Sequence, residues 1–445
     1  MKLKTVTLGC KVNQYETEYL REGLLGIGYQ DAADGQPADL CIVNTCTVTA
    51  EGDRKSRQII RRLARDNPAS KIVVMGCYAT RAPAEVARLP NVTEVLTDKR
   101  ELPDLLGRFG VTDVPTGISG FGRRHRAYVK VQDGCMLRCS FCIIPHVRPE
   151  LTSRPLAHIL DEVRRLTDNG YREVVLTGIH LGHYGVDWNR NLPKARWTRL
   201  SHLVRAIVEL PGDFRVRLSS IEATEVTREL IGVMADYGEK ICPHLHISMQ
   251  SGSDSVLRRM RRRWGSRRFV DRCQLFAERI DQPAITTDII VGFPGETESD
   301  FRATLSLIEE IRFSAIYAFK YSPRPGTAAL RLADEVDPEV ADRRLQEVLS
   351  LQTQVQHELN RELVGRHMDV LVTGEAKTPG LVTARTACHR VALFPSTLEE
   401  TRIGRLTEVV IDRALPHSLL ATREGSPGSL PFPHDRRSRL PVLAC

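Results

Sequence analysis

Residues 132–146 read QDGCMLRCSFCIIPH and place three cysteines, Cys135, Cys139 and Cys142, on one short loop with C-x3-C-x2-C spacing. Iron–sulfur clusters are normally held by cysteine thiolates. Three thiolates on one loop can hold three irons of a cubane 4Fe-4S cluster and leave the fourth iron without a protein ligand. A small molecule can chelate an iron that is open in this way. The spacing therefore predicts a cluster that performs chemistry more than one that only stores an electron.

Two other interpretations of this loop remain open from the spacing alone. The three cysteines together with His146 form the donor set of a Cys3His zinc site, and a chain with 11 cysteines can also cluster them by chance. A disulfide framework is not expected, because the opening residues MKLKTVTLGCKVNQYE contain no apolar segment of the kind that directs export. Without export, clustered cysteines favour metal binding or catalysis.

Composition sets broad limits on what the chain does. Its 445 residues suffice for two or three domains, and no apolar run is long enough to cross a membrane. We therefore expect a soluble cytoplasmic protein with no membrane partner. Lys and Arg number 63 against 55 Asp and Glu, and the resulting net charge of +8 permits a polyanionic partner without establishing one.

Positive charge is concentrated in residues 257–268, LRRMRRRWGSRR, which hold seven arginines around Trp264. A basic helix face with an aromatic ring can grip phosphates and stack on a base. A solvated basic helix explains the pattern equally well. The candidate RNA contacts in this stretch are Arg258, Arg259, Arg261, Arg262 and Arg263.

The first hundred residues alternate short β-rich apolar runs with helical stretches. We predict strands at Thr5–Leu8, Leu40–Val43 and Ile72–Met75. Strand–helix alternation of this kind predicts a doubly wound parallel α/β domain, which we place at residues 1–115.

A second set of three cysteines follows these strands. Cys10, Cys46 and Cys77 each stand just past the carboxyl end of one predicted strand, in LGC, NTC and MGC. The carboxyl ends of parallel strands lie along one edge of the sheet, where doubly wound folds bind ligands. The topology therefore predicts a second three-thiolate site without an obvious fourth ligand. Three unrelated buried cysteines are the alternative.

The βα alternation resumes after a Gly-, Ser-, Thr- and Pro-rich linker at Thr112–Arg124. Six strand–helix units predict an open, partial (β/α)6 barrel over residues 124–360, with the cysteine loop after its first strand. The six predicted strands are Tyr128–Val131, Glu173–Leu176, Phe214–Leu218, His244–Ile247, Ile285–Val291 and Ala315–Tyr321. Barrel active sites lie at the carboxyl ends of the strands, which agrees with this placement of the cysteines.

Polar and small residues follow several of these strands. Gly178 allows close approach of the backbone to a ligand. Glu222 suits a ribose or an amino group, although a helix-capping role is about as probable from the sequence. Gln250 and Ser251 follow the fourth strand and can hydrogen-bond a ligand. Each signal is weak alone, and their common position at strand ends makes them coherent.

After Leu363 the sequence pattern changes and predicts several short strands. They are Met368–Thr373, Gly380–Ala384, Arg390–Phe394 and Leu406–Arg413. This spacing predicts a small β-barrel at residues 363–420. We expect a disordered tail at residues 421–445, because that stretch is rich in Pro, Ser, Arg and Gly.

Taken in order, a series of segments resembles the methylthiotransferase family of radical S-adenosylmethionine (SAM) enzymes. They are TLGCKVNQYE, NTC, MGC, C-x3-C-x2-C, LTGIHLG, LSSIE, HISMQSGS, DIIVGFPGE and YSPRPGT. The resemblance covers residues 2–413. The segments LGCKVNQYE and LTGIHLGHYG are most similar to the MtaB-type branch, which modifies N6-threonylcarbamoyladenosine beside the tRNA anticodon.

The resemblance implies two 4Fe-4S clusters and SAM as cofactors. It makes Cys135, Cys139 and Cys142 the catalytic ligands of the cluster that reduces SAM. It makes Cys10, Cys46 and Cys77 the ligands of an auxiliary cluster that carries sulfur to C2 of the adenine. The residues implied to line the SAM pocket are Thr177, Gly178, Glu222, Gln250 and Ser251. The C-terminal β-barrel is similar to a TRAM domain, an RNA-binding module.

The implied partners are tRNA and a reductant such as flavodoxin or ferredoxin, and we expect a monomer. The same chemistry on isopentenyl-adenosine in tRNA, or on an aspartate of a ribosomal protein, is the nearest alternative. A non-catalytic, zinc-containing RNA-binding protein is the distant one. One departure concerns residues 147–155, VRPELTSRP, where the family usually continues with an Arg-Gly-rich stretch.

Overall fold

A computed structural model describes residues 1–122, 124–397 and 401–423. In those ranges no helix is both long and apolar enough to span a membrane. The first elements are β1 (Lys2–Thr7), α1 (Lys11–Gly26), β2 (Gln30–Asp31), β3 (Leu40–Thr45), α2 (Ala50–Asp66), β4 (Lys71–Gly76), α3 (Cys77–Arg81), α4 (Pro83–Ala87), β5 (Val92–Val95) and α5 (Leu102–Arg108).

The N-terminal sheet is entirely parallel, with strand order β2-β1-β3-β4-β5. Every residue of the central strand β3 is buried, as expected for a parallel strand with helices on both faces of the sheet. In this order the direction of winding reverses between β1 and β3, and α/β folds bind ligands outside the strand ends at such a point. The predicted doubly wound domain is confirmed.

The middle of the chain forms the predicted partial barrel. Its elements are β6 (Ala127–Asp133), α6 (Ile144–Val147), β7 (Thr152–Ser153), α7 (Leu156–Asp168), β8 (Glu173–Gly178), α8 (Leu200–Val208), β9 (Arg215–Leu218), β10 (Ser220–Ile221), α9 (Arg228–Asp236), β11 (His244–Ile247), α10 (Asp254–Arg259), α11 (Ser266–Ala277), β12 (Ala284–Val291), α12 (Glu298–Ile311), β13 (Ala315–Lys320) and α13 (Pro338–Arg361).

Six parallel strands, β6, β8, β9, β11, β12 and β13, form the barrel wall. They belong to two four-stranded sheets, β7-β6-β8-β9 and β10-β11-β12-β13. The chain passes from one sheet to the other between β9 and β10. The barrel is therefore open, and its strand carboxyl ends face the N-terminal domain.

The basic stretch at residues 257–268 does not form the single helix face that the sequence suggested. Helix α10 ends at Arg259, Arg261 adopts a left-handed backbone with φ 57°, and α11 begins only at Ser266. The arginines thus lie on a helix end, a turn and a new helix. They point in different directions as a result.

The C-terminal strands close into a five-stranded barrel with the order β14-β15-β16-β18-β17. The strands are β14 (His367–Glu375), β15 (Leu381–Thr386), β16 (Val391–Pro395), β17 (Leu406–Ala414) and β18 (Leu419–Thr422). Strand β18 includes two residues that the sequence assigned to the tail, because a short apolar run, LLAT, closes the barrel. The remainder of the predicted tail, residues 424–445, lies outside the described residues.

The C-terminal barrel docks on the amino-terminal ends of the strands of the partial barrel. Arg215 donates to the carbonyl of Arg385 at 2.9 Å, and Arg217 donates to that of Ala387 at 2.9 Å. Both arginines also bind the buried carboxylate of Glu173. The C-terminal domain is therefore at the opposite end of the partial barrel from its strand carboxyl ends.

The described residues of the predicted linker, 112–122 and 124, are irregular but firmly packed. Ile118 and Phe121 are buried, and the carboxylate of Glu22 in α1 accepts bonds from the backbone of Ser119 and Gly120. The amide of Ile118 donates to Glu162 in α7 at 2.8 Å. This segment therefore fixes the N-terminal domain against the barrel.

A buried cluster of charges joins the two domains at their functional edge. Arg148, which follows the cysteine loop, donates to both carboxylate oxygens of Glu16 in α1 at 2.7 Å. It also donates to Asp133 at 2.8 Å, and Lys130 contacts the same two acids. Arg148 and Glu16 are 1% and 0% exposed, so neither has water as an alternative partner.

We predict that Arg148→Met destabilises the chain by about 3 kcal/mol or more, because removing one partner leaves buried carboxylates with incomplete compensation. Urea unfolding of the protein without bound iron measures the change in the free energy of unfolding. The matched control is Arg164→Met. Arg164 pairs with Asp161 on the surface with both side chains more than half exposed, so its loss should cost below about 0.5 kcal/mol.

The same cluster sets a pH dependence. Although burial opposes it, the charges of Arg148 and Lys130 hold the pKa of Glu16 below its ordinary value of 4.5. The stabilisation is therefore complete above about pH 4.5 and is lost as the pH falls through the lower folded-state pKa. Arg148→Met should flatten this acid limb. Equal unfolding midpoints for Arg148→Met and Arg164→Met would contradict the assignment.

Candidate active site

All six cysteines of the two predicted sets line one cavity between the N-terminal domain and the barrel. Cys10, Cys46 and Cys77 contribute from one side, and Cys135, Cys139 and Cys142 from the other. The cavity of about 320 Å³ lies at the carboxyl ends of both parallel sheets. Two sites that the sequence predicted separately thus face the same space.

The loops of the N-terminal trio depend on a glycine in the left-handed region. Gly76 has φ 96° and precedes Cys77 at the start of α3. A Cβ at this position would collide with the side chain of Asn44 and the backbone of Thr45. Only glycine allows β4 to turn so sharply that Cys77 reaches the cavity.

Asn13 joins two of these loops and was missed by the sequence analysis. Its amide donates to the carbonyl of Leu8 at 2.9 Å and to that of Thr45 at 3.1 Å, which ties the Cys10 and Cys46 loops together. Its Oδ1 lies 3.7 Å from Cys10 Sγ and accepts a bond from Arg148 at 3.0 Å. The available signal was a polar residue on the buried face of a helix, three positions after a cysteine.

The barrel loop is equally constrained. Gly134 has φ 75°, and a Cβ there would overlap the carbonyl oxygen of Glu150. Ser140, between the second and third cysteines, donates to the carbonyl of Arg259 at 2.7 Å and accepts from the amide of Ala329 at 2.7 Å. The loop is therefore held by the chain on both sides of the barrel opening.

Burial makes three of the cavity thiols harder to ionise when nothing is bound. Desolvation raises the pKa values of Cys10 and Cys139, and it raises the pKa of Cys142 to about 12. Cys10 shows this although part of its surface faces the open cavity. Cysteine binds a metal as the thiolate, so these thiols must lose their protons when a metal binds. Metal binding and proton release are therefore coupled here.

Arg262 lies inside the cavity instead of on an RNA-facing surface. Its guanidinium is 3.5 Å from Cys139 Sγ and forms an ion pair with Glu222, with only 4% of its side chain exposed. Trp264 is buried and donates its indole N–H to the same carboxylate at 3.1 Å. Trp264 is therefore not available to stack on a base, and the predicted RNA role of Arg262 is not supported by its position.

The other arginines of that stretch, Arg258, Arg259, Arg261 and Arg263, are exposed. Among the predicted SAM contacts, Thr177, Gly178, Glu222 and Gln250 line the cavity. Gln250 has a left-handed backbone with φ 73°, an uncommon conformation for a residue other than glycine. Strain of this kind is typical of functional sites.

Ser251 does not line the cavity. It is buried beneath the loop, where its hydroxyl accepts from the amide of Ser253 at 3.2 Å and lies 3.4 Å from the hydroxyl of Thr304. Its position is that of a residue that fixes the loop carrying Gln250. A strand-end serine looks the same in the sequence whether it faces the ligand or the helix behind it.

A histidine pair beside Cys135 was also missed. His180 Nδ1 lies 3.7 Å from Cys135 Sγ, and its Nε2 is 2.8 Å from Glu225. Burial opposes the charged form, but bonds to Cys135 and Glu225 raise the pKa of His180 to about 10. Burial and the charge of His180 lower the pKa of the stacked His183 to about 4. The only indication in the sequence was the segment HLGH at residues 180–183, which places two histidines just after a predicted strand.

His180, His183 and Glu225 bring three donor atoms within 4.8 Å of one another, as a metal site would require. Glu225 already accepts from the amide of Glu222 at 2.8 Å, and Gly182 packs against its side chain. The carboxylate of Glu225 is thus already engaged in hydrogen bonds, which favours a support for Cys135, although the buried Nδ1 atom of His183 has no hydrogen-bond partner among the described residues.

His146 does not complete a zinc site with the cysteine loop. It is exposed and lines a different pocket with Lys99 and Glu150. In the described chain the remaining cysteines, Cys41, Cys242, Cys273 and Cys388, are buried and do not line the cavity. Cys445 lies outside the described residues.

Three family profiles match the chain in sequence. The Radical SAM superfamily matches residues 129–308, the Uncharacterized protein family UPF0004 matches residues 2–97, and the TRAM domain matches residues 361–422. The three matches correspond to the barrel, the N-terminal α/β domain and the C-terminal five-stranded barrel.

Solved structures share the fold at low sequence identity. The radical SAM methyltransferase TsrM from Kitasatospora setae, solved with cobalamin and a 4Fe-4S cluster, has a TM-score of 0.54 at 15% identity over 86% of this chain and 80% of its own. The cobalamin-dependent radical SAM enzyme OxsB has a TM-score of 0.51 at 14% identity, covering 79% and 56%.

Curated relatives are much more similar. Threonylcarbamoyladenosine tRNA methylthiotransferase MtaB of Bacillus subtilis is 38% identical over 92% of this chain and 93% of its own length. The tRNA-2-methylthio-N(6)-dimethylallyladenosine synthase of Corynebacterium urealyticum is 37% identical over 93% and 81%. With relatives of this similarity over nearly its whole length, the chain belongs to the methylthiotransferase family of radical SAM enzymes.

Proposed function

We propose that this enzyme adds a methylthio group to C2 of N6-threonylcarbamoyladenosine next to the anticodon of tRNA. The observation that carries the proposal is that two separate cysteine trios line one cavity. Both trios therefore open onto the space that one substrate would occupy. Relatives that carry the threonylcarbamoyladenosine name are 35–38% identical over most of the chain.

The donor chemistry fits two 4Fe-4S clusters. Thiolates are their usual ligands, and each trio supplies three of the four that a cubane takes. Of the described residues, no seventh cysteine lines the cavity, so each cluster would keep one iron open. We assign Cys135, Cys139 and Cys142 to the cluster that binds SAM, and Cys10, Cys46 and Cys77 to the auxiliary cluster.

When bound, the clusters and SAM supply the electron, the radical chemistry, the sulfur and the methyl group. The chain itself supplies positions and charges. Arg262 places a cation against Cys139, and His180 directs an N–H at Cys135. Burial raises the pKa of Cys139, and the charge of Arg262 opposes that rise. The buried interface around Arg148 holds the two trios at a fixed separation and keeps water from that side.

For SAM we assign contacts to Thr177, Gly178, Glu222 and Gln250, all on the barrel side of the cavity. Ser251 supports the Gln250 loop from behind. We assign tRNA contacts to Arg258, Arg259, Arg261 and Arg263 and to the TRAM domain. A reductant such as flavodoxin or ferredoxin, a monomeric state and a cytoplasmic location complete the proposal.

A second candidate substrate is N6-dimethylallyladenosine in tRNA. The observation that favours it is the 37% identity to the Corynebacterium urealyticum synthase, almost equal to that of the MtaB relatives. The tRNA product separates the two.

We predict about eight irons per chain after anaerobic reconstitution, because two cubane clusters contain four irons each. The triple variants Cys10/Cys46/Cys77→Ala and Cys135/Cys139/Cys142→Ala should each retain about four. Iron, sulfide and zinc analysis makes the measurement. The control is Cys41/Cys242/Cys273→Ala, which removes three thiols outside the cavity and should keep the full iron content. Stoichiometric zinc with negligible iron would refute the radical mechanism.

The product assay tests the substrate. The reconstituted enzyme, with SAM, sulfide and a reductant, should convert N6-threonylcarbamoyladenosine in tRNA to its 2-methylthio form, detected by mass spectrometry of the nucleoside digest. Either cysteine triple variant should make no product, because both trios are required at the same cavity. Methylthiolation of dimethylallyladenosine alone would replace the proposed substrate with the second candidate.

A further inference from the structure

The charges that line the cavity are paired, with one exception. Glu222 is bound by Arg262 and Trp264, and His180 by Glu225. Lys11 lines the same cavity and is exposed. Across the described ranges, its ammonium makes no hydrogen bond or ion pair with the rest of the chain. The cavity therefore presents one cation that is free to meet a ligand.

The position of Lys11 relates it to the substrate instead of to SAM. It directly follows Cys10 in the N-terminal domain, whereas the residues assigned to SAM belong to the barrel. Its charge also reaches the barrel interior, where it adds to the effect of burial in lowering the pKa of His244. In adenine, N6 is separated from C2 only by N1 and C6. When C2 faces the cysteine trio of the N-terminal domain, the substituent on N6 therefore lies in the same cavity that Lys11 lines.

The two candidate substituents differ in charge at this point. A threonylcarbamoyl group ends in a free carboxylate and a hydroxyl, whereas a dimethylallyl group is an uncharged hydrocarbon. An ammonium and a carboxylate form a charge-assisted hydrogen bond, roughly twice as strong as one between neutral groups. The same ammonium gains nothing from a hydrocarbon and loses water beside it.

The apolar part of the rim does not separate the two substituents. Val48, which is 52% exposed, and Leu137 also line the cavity and can pack on either group. Shape and hydrophobicity therefore accept both. The charge at position 11 is the feature of this cavity that distinguishes them.

Building on the proposed function, we propose that Lys11 binds the carboxylate of the N6-threonylcarbamoyl group and thereby makes this enzyme selective for the anionic substrate. Lys11 is a specificity-determining residue in this account and takes no part in holding a cluster.

The test compares two anticodon stem-loop RNAs of identical sequence that carry N6-threonylcarbamoyladenosine or N6-dimethylallyladenosine. Binding to the reconstituted full-length enzyme is measured anaerobically by fluorescence anisotropy, without reductant, so that no turnover occurs. Lys11→Met should weaken binding of the threonylcarbamoyl RNA by about ten-fold, because one hydrogen bond between charged groups is lost. The affinity for the dimethylallyl RNA should stay within about two-fold of the wild-type value, because no such bond exists there.

Two further variants sharpen the result. Lys11→Arg keeps the charge and should retain most of the preference for the threonylcarbamoyl RNA. Lys71→Met removes an exposed lysine at the start of β4, outside the cavity, and should change neither affinity. Turnover measurements should place the Lys11→Met effect in KM more than in kcat.

Three results would overturn the inference. An equal loss of affinity for both RNAs would make Lys11 a general RNA contact. Weaker binding of SAM in the absence of RNA would make the SAM carboxylate its partner. Loss of iron would make it a support for the cluster. Failure of the proposed function is a different result, in which the wild-type enzyme methylthiolates neither RNA whatever residue stands at position 11.

Discussion

The structure depends on the buried ion cluster around Arg148. Two sets of thiols on different domains can act on one substrate only if the domains keep a fixed distance, and this cluster is placed where the two cysteine loops meet. Arg148 follows the barrel loop in sequence and contacts Glu16 and Asn13 in the first two turns of the helix that begins just after Cys10. A buried charge that loses its partner is strongly unfavourable, so a displacement of the domains that separates Arg148 from Glu16 is opposed.

Glycine backbones and buried polar bonds complete this arrangement. Gly76 and Gly134 each precede a cysteine in the left-handed region, where another residue would be strained and would collide with neighbouring backbone. Asn13 links the Cys10 and Cys46 loops, and Ser140 fixes the barrel loop from both sides. The site is thus built before any cofactor enters. The strand ends bring the thiols together, and the loops hold them there.

Much of this was predictable from the sequence, for physical reasons. Strand–helix alternation and cysteines just past strand ends determine that Cys10, Cys46 and Cys77 meet at one sheet edge. Periodicity does not reveal where a charged side chain points, and Arg262 therefore looked like its exposed neighbours although it turns inward to Glu222 and Cys139. Arg148, His180 and Ser251 could not be placed either, because their roles depend on contacts between segments distant in sequence. The last two residues of β18 were assigned to the tail because a strand of four residues beside a Pro- and Arg-rich stretch gives too short a signal.

The central claim is that two separate clusters face one cavity between the N-terminal domain and the barrel. The most direct measurement is X-ray diffraction at the iron absorption edge from crystals of the anaerobically reconstituted protein. The account predicts two anomalous peaks, one beside Cys10, Cys46 and Cys77 and one beside Cys135, Cys139 and Cys142, opening onto the same space. A single peak, or a second peak outside this cavity, would contradict it.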